Sequence, residues 1–240
     1  MLSAVVGELP DSARRNPERL QYSLYKTEAP LRHAQMPAGP DIRINRRLRY
    51  GTLADLTVID TRSYRDDQPC GDGDGVDCAD RLDPNRTILG AAQRDWLLTG
   101  LSRSRARWQI LGNQAPMGQT DRDVRNLVVI TGDRHQNYAW DLKRDYADPT
   151  SPTVASEFVG TSITSGGDGA DMNTDGVNFL AANPHLKFFN AQRGYVRVNV
   201  DRQRWRSDFR VLPHVQQQGA PVTTRASYVV EDRVPGVQQA

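Results

Sequence analysis

Residues 127–137, LVVITGDRHQN, constrain this chain more than any other stretch. They open with an unbroken run of apolar, mostly β-branched side chains, the pattern of a strand buried on both faces. The run breaks at Thr131-Gly132 and then delivers Asp133 and His135. Polar, ligand-type residues just past a hydrophobic strand lie at its carboxyl end, where open α/β sheets place their ligands. If the backbone stays extended, residues i and i+2 point to the same side, and Asp133 and His135 then converge on one metal ion or one phosphate. Gly132 permits close approach of the backbone to such a ligand. For so short a motif a surface turn with a hydrogen-bonded Asp and His is the competing reading.

The flanking segments repeat the theme. In and just before residues 46–66, RINRRLRYG (43–51) and DLTVIDT (55–61) read as two strands, the second leading out to Asp60, Arg62 and Arg65. Asp60 and Arg62 either pair as a structural salt bridge, which we favour, or Arg62 shapes a loop near the site. Over residues 84–106, Ile88, Leu89, Ala92, Trp96, Leu97 and Leu101 fall at helical spacing and predict an amphipathic helix packed on a sheet. WQILGNQ follows as a further strand, ending in Asn113, whose amide suits a metal or a phosphate oxygen. The link from there to Leu127 is short and lacks helical periodicity, although parallel neighbours need a crossover of a dozen or more residues. Downstream, YAWDLK and VASEFV read as strands. SGGDG matches no phosphate-loop spacing and is read as a flexible surface loop. A short helix precedes Pro184-His185, and GYVRVNVD with RWRSDFRVL forms a hairpin with one wet face.

Composition sets the class. At 240 residues, 25% charged and net +2, the chain has a globular composition without the basic excess of a dedicated nucleic-acid binder. Arginine greatly outnumbers lysine, which suits phosphate recognition but equally reflects a GC-rich genome. No apolar run is long enough to span a membrane, and the first residues show no signal-peptide pattern. Cys70 and Cys78 either close a short disulfide loop, implying an oxidising compartment, or remain two thiols of a cytosolic protein. The carboxylates between them (Asp72, Asp74, Asp77) lack the terminal Glu of a calcium loop and read as an acidic surface loop.

Five segments, DLTVIDTRSYRDDQP, RTILGAAQRDWLLTGLSRSRARWQILGNQ, LVVITGDRHQNYAWDLK, VASEFVGTSITSGGDG and NPHLKFFNAQRGYVRVNV, occur in this order. Together they resemble the PhoD-type alkaline phosphatases and phosphodiesterases of the calcineurin-like metallophosphatase superfamily. The resemblance implies an α/β fold, a two-sheet sandwich flanked by helices, present here only in part. It implies metal-dependent hydrolysis of phosphate mono- or diesters at an iron and calcium centre, in a secreted or periplasmic protein. The G-D-x-H motif falls on Gly132, Asp133 and His135. Asp133 and His135 are carried over as catalytic and metal-site residues, Asn113 as a metal ligand or substrate contact, and Arg193 as a structural or substrate contact.

The family's upstream Cys ligand, its Asp/Tyr pair and its W-D-D-H-E-like segment do not occur before residue 46, and Cys70 and Cys78 lie in the wrong region to replace that ligand. The expectation is therefore the C-terminal part of such an enzyme, internally shortened between Asn113 and Leu127, with weak activity or none. Its organisation is expected as a polar N-terminal segment with one helix (1–45), an incomplete metallophosphatase-like domain (46–212) and a polar C-terminal tail (213–240). The expected partner is a phosphate ester as substrate of a monomeric protein, with no specific nucleic-acid partner. A non-catalytic remnant is the rival reading. A sugar- or nucleotide-binding module, resting on the glycine loop alone, ranks last.

Overall fold

The computed structural model describes residues 43–67, 69–72, 79–114, 124–146, 148 and 150–240. The expected N-terminal helix, most of the acidic loop around Asp74 and residues 115–123 of the short link lie outside them.

Two sheets face each other. The larger runs in the order β1–β2–β3–β4–β6–β5–β7, with β1 at Arg46–Tyr50, β2 at Ala54–Val58, β3 at Trp108–Gly112, β4 at Leu127–Thr131, β5 at Asn137–Lys143, β6 at Thr153–Val159 and β7 at Leu186–Asn190. Strands β2, β3, β4 and β6 are mutually parallel, while β1, β5 and β7 run against their neighbours. The second sheet is antiparallel, in the order β11–β10–β9–β8, with β8 at Arg193–Val200, β9 at Arg204–Leu212, β10 at Thr223–Glu231 and β11 at Val234–Gln239.

Side-chain alternation along the strands assigns the layers. Ala54, Leu56, Trp108, Ile110, Val128, Ala139, Phe158 and Phe188 point from the large sheet to Trp205, Phe209, Tyr228 and Val230 of the small one. Trp108 is fully buried 6.3 Å from Trp205 and donates its indole N–H to Asp201 O at 2.6 Å, which ties the layers at one end. The alternate residues Leu111, Leu127, Val129, Leu142 and Ala155 form a second cluster on the opposite face, together with Ile59 and Leu97. β4 is thus apolar on both faces because both are covered, as its unbroken run predicts.

Helix α1, Gly90–Arg103, covers that outer face and provides the crossover between parallel β2 and β3. Its buried residues, Gln93, Leu97 and Gly100, are spaced i, i+4 and i+7. Two positions expected on its apolar face, Ile88 and Ala92, are exposed, and the polar Gln93 takes the inward place because it has backbone to bind. Helix α2, Thr174–Ala182, is capped by Asn173, whose side chain accepts the Gly176 N–H at 2.9 Å.

The expected polar tail is corrected. Residues 223–239 form β10 and β11; β10 pairs with β9, and Tyr228, Val229 and Val230 are buried. β11 is anchored onto the large sheet, where Gly236 N donates to Ser156 Oγ at 3.2 Å and Val237 N to Asp141 Oδ1 at 2.8 Å. The segment reads as polar because only one face of a short antiparallel ribbon meets the core. Among the described residues no helix is long and apolar enough to cross a membrane.

Candidate functional site

The carboxyl ends of β2, β3, β4 and β6 open on the same edge of the large sheet, and the loops leaving them carry the expected site residues. At the end of β2, Asp60 is fully buried. Gln93 of α1 holds its backbone on both sides, accepting Asp60 N at 2.7 Å and donating to Asp60 O at 2.8 Å. Asp60 Oδ1 accepts the N–H groups of Arg62 and Ser63, both at 2.9 Å, a side-chain turn that redirects the chain. The favoured Asp60–Arg62 salt bridge does not form: Asp60 receives the Arg62 backbone, and the Arg62 guanidinium instead reaches Asp133 Oδ2 at 2.8 Å. Asp60 Oδ2 is buried with no hydrogen-bond partner, a costly state that marks the position.

At the end of β3, Asn113 is buried; its N–H donates to Ile130 O at 3.0 Å and its Oδ1 accepts Gln114 N at 2.9 Å. Gln114 Oε1 in turn accepts the Thr61 N–H and hydroxyl at 2.8 Å each. The ends of β2, β3 and β4 are laced together by these contacts, so the residues beyond them leave from a fixed platform.

The end of β4 departs from expectation in its backbone. Asp133 (φ 69) and His135 (φ 55) both lie in the left-handed region, and Arg134 N donates to Gly132 O at 2.9 Å, a tight turn centred on Asp133. The segment is bent rather than extended, so the two side chains do not share a direction by strand alternation. Gly132 has neither a positive φ nor a neighbour within 4 Å of an added Cβ. The conformational demand falls on the two residues after it. Each costs about 1–3 kcal/mol and persists only where surroundings impose it, as at functional sites. Asp133 faces solvent, and its pair with Arg62 is about half exposed on both sides, so the pair sets orientation more than stability.

Much of what imposes the turn is Arg193, at the start of β8. It is only 8% exposed. Its Nη1 donates to His135 O at 2.7 Å and Ala191 O at 3.2 Å, its Nη2 to Gly166 O at 3.0 Å and its Nε to Gly167 O at 2.8 Å. One planar fork thus fastens the Asp133–His135 turn to the glycine-rich loop. Of the two roles expected for Arg193, these bonds are the structural one.

The glycine loop itself is pinned rather than loose. Besides Arg193, Asp168 Oδ1 accepts Val215 N and Gln216 N at 2.7 and 2.8 Å. Those two backbone bonds hold its carboxyl below the usual range. Asp171 pairs with Arg225 and accepts from Asn190 Nδ2 at 2.9 Å, contacts that likewise lower its carboxyl. Gly169 is obligatory, since a Cβ there would overlap the Ala191 carbonyl.

Several residues of the platform carry no local sequence signal. Asn137 and Asn190 are fully buried and joined by Nδ2–Oδ1 at 3.1 Å, and Thr131 donates to the buried Glu157 at 2.6 Å. Polar letters inside otherwise apolar strands were the available hint. Tyr138, the second residue of β5, has its phenol pushed up by burial.

Whether these residues fit a binuclear metal centre is decided by the donors. Among the described residues, no three His, Cys, Asp or Glu side chains come together in a way that can hold a metal ion. A centre of that kind needs several anionic or imidazole ligands. Asp133, His135 and Asn113 do not meet that requirement on their own, and Asp60 Oδ2 does not complete it. Cys70 is disulfide-bonded and does not supply a thiolate.

Comparison with known proteins agrees with this architecture. The family model for PhoD-like phosphatase matches residues 18–124 and 119–209, two pieces that meet in the β3–β4 link. Alkaline phosphatase D of Bacillus subtilis (strain 168) is 38% identical over 91% of this chain and 42% of its own length. A solved structure, described as the structure of PhoD, superposes with a TM-score of 0.85 at 36% identity, covering 93% of this chain and 48% of that one. The chain thus spans less than half the length of either relative. With a family model covering most of its residues, a relative at this identity, and the same two-sheet sandwich, the chain belongs to the PhoD-like phosphatase family.

Proposed function

We propose that this chain acts in the hydrolysis of phosphate mono- or diesters, with Arg62, Asn113, Asp133 and His135 as its contribution to the site and with low turnover by itself. The observation that carries the reading is the Arg62–Asp133 pair across the ends of β2 and β4, beside a histidine held in left-handed backbone by a buried arginine. Arg62 offers a half-exposed planar fork matched to two phosphate oxygens. Asp133 holds that fork in place. The Asn113 amide serves a further phosphate oxygen, and the His135 imidazole donates a proton to the leaving alkoxide as water attacks phosphorus and the ester P–O bond breaks. Iron and calcium, which the family resemblance brings, neutralise phosphate charge and lower the pKa of a bound water when present. The described donors do not complete such a centre, so no step is assigned to it here. The Cys70 disulfide supports an extracytoplasmic location.

The test is hydrolysis of p-nitrophenyl phosphate and bis-p-nitrophenyl phosphate with iron and calcium added. We expect weak turnover that His135→Ala abolishes and that Arg62→Ala and Asp133→Asn each lower. Turnover indifferent to all three substitutions would sink the assignment. A second reading, a non-catalytic member of the family, draws on the incomplete donor set among the described residues. Folded protein with no turnover and no stoichiometric iron decides for it.

A further inference from the structure

The end of the sandwich opposite the candidate site holds a cleft of about 250 Å³. Thr52 lines it from the β1–β2 turn, Arg105 and Arg107 from the α1–β3 link, Arg125 from the approach to β4, Arg202 from the β8–β9 turn and Arg233 from the β10–β11 turn. Five guanidinium groups from four separate segments and both sheets thus surround one opening. The intervening strand β3 is five residues long, which puts this floor roughly 15–20 Å from the Asn113 edge.

Neutralising charge is scarce. Asp232 takes Arg107 at 2.7 Å and Arg233 at 3.6 Å. Asp201 Oδ1 is engaged by the Gln203 and Arg204 N–H groups at 2.7 and 2.8 Å. Among the described residues no carboxylate pairs with Arg105, Arg125 or Arg202, and the one side-chain bond of Arg202 is to Thr52 Oγ1 at 3.3 Å. Like charges gathered in this way repel one another, and the arrangement gains energy only when an anion enters.

The base beneath these arginines is rigid. Asn126 Nδ2 donates to Asp232 Oδ1 at 2.6 Å and to Arg107 O at 2.9 Å, and its Oδ1 accepts Arg233 N at 2.7 Å. Arg107 N also donates to Thr52 O at 3.0 Å. Asn126 (φ 52) and Arg233 (φ 64) are both left-handed. Arg233 thus occupies a turn position where Gly or Asn is the usual choice.

We infer that this cleft binds a small condensed phosphate, an anion with two linked phosphoryl groups gripped by forked guanidinium contacts. Arginine forks match phosphate oxygens in pairs. The guanidinium-bearing segments approach the opening from several sides, more contacts than a lone phosphate needs. The inference is independent of the Arg62–His135 site.

The test is calorimetric titration of the full chain with inorganic pyrophosphate, metal-free, at about 0.15 M salt. The expected result is saturable binding whose component surviving Arg62→Gln, which removes the phosphate contact of the candidate site, is one-to-one and is weakened at least tenfold when Arg125→Gln/Arg202→Gln is added, about 1.4 kcal/mol. Arg105→Gln, at an exposed side chain with no side-chain hydrogen bond or ion pair among the described residues, is expected to weaken binding in the same sense without touching the fold. No saturable binding, affinity unmoved by these variants, or binding lost in Arg62→Gln alone overturns the inference. So does a short oligothymidylate that binds as tightly at the same salt, which would make the cleft a nucleic-acid surface.

Discussion

Replacing Arg193 probes how the fold builds the site. Its guanidinium makes four bonds to carbonyls, of His135, Ala191, Gly166 and Gly167, at 2.7 to 3.2 Å. A hydrogen bond from a charged donor is worth about 1.5–3 kcal/mol net. Two of these share one nitrogen, and Gly166 and Gly167 lie on a surface loop where water replaces the lost donor, so simple addition overstates the total. We therefore expect Arg193→Ala to cost about 2–4 kcal/mol. For a protein of this size that lowers Tm by roughly 5–15 °C. Arg193→Lys keeps the charge but presents a compact ammonium in place of a fork, and is expected to recover less than half the loss. Circular dichroism melts give the magnitude. Amide hydrogen exchange gives the location, with faster exchange at residues 132–137 and 164–170 and little change in β2 or β3. A melt within about a degree of the parent, or full rescue by lysine, would refute the clamp.

Two further substitutions test the packing. Asp208 of β9 is buried; burial pushes its carboxyl up, but Ser227, Arg197 and Arg206 together outweigh this and hold it below the usual range. A depressed folded value contributes stability that is present above the unfolded carboxyl pKa, about 3.9, and is lost as pH falls through the folded one. Urea unfolding should therefore show Asp208→Asn losing clearly more stability at neutral pH than under acid below that range. Equal losses at both would contradict the sign. Gly194 lies at φ 153, where a Cβ would overlap Arg210 O and sit 2.9 Å from Val211 Cα. Gly194→Ala should cost about 2–4 kcal/mol, while Gly132→Ala, in open space, should fall within about 0.5 kcal/mol of the parent. Matching melts for the two variants would refute this reasoning.

Local pattern carried most of the large sheet. The unbroken apolar run of β4 announced a strand covered on both faces, the spacing of Trp96, Leu97 and Leu101 announced α1, and the alternation in β8 and β9 announced their hairpin. Such signals are legible because each element's own side chains repeat with its geometry. Pattern failed where the decisive partner is distant in sequence. β10 and β11 read as a polar tail because half their residues face water, and only pairing with β9 and anchoring on Ser156 and Asp141 make them strands. Nor does spacing show that the polar Gln93 faces inward, because the Asp60 backbone it binds lies 33 positions away.

The candidate site divides along the same line. The amino-acid sequence by itself determined which residues stand past the strand ends, since chain order alone puts Asn113, Asp133 and His135 there. Only the tertiary structure decided how they are held. Arg62 passes over its neighbour Asp60 to meet Asp133, 71 positions away. Arg193 reaches back 58 positions to His135 O, and Asp133 and His135 leave the extended path for left-handed backbone. The physical reason is that a side chain's hydrogen bonds and ion pairs are chosen by proximity in space, while hydrophobic periodicity records only which face of each element is covered.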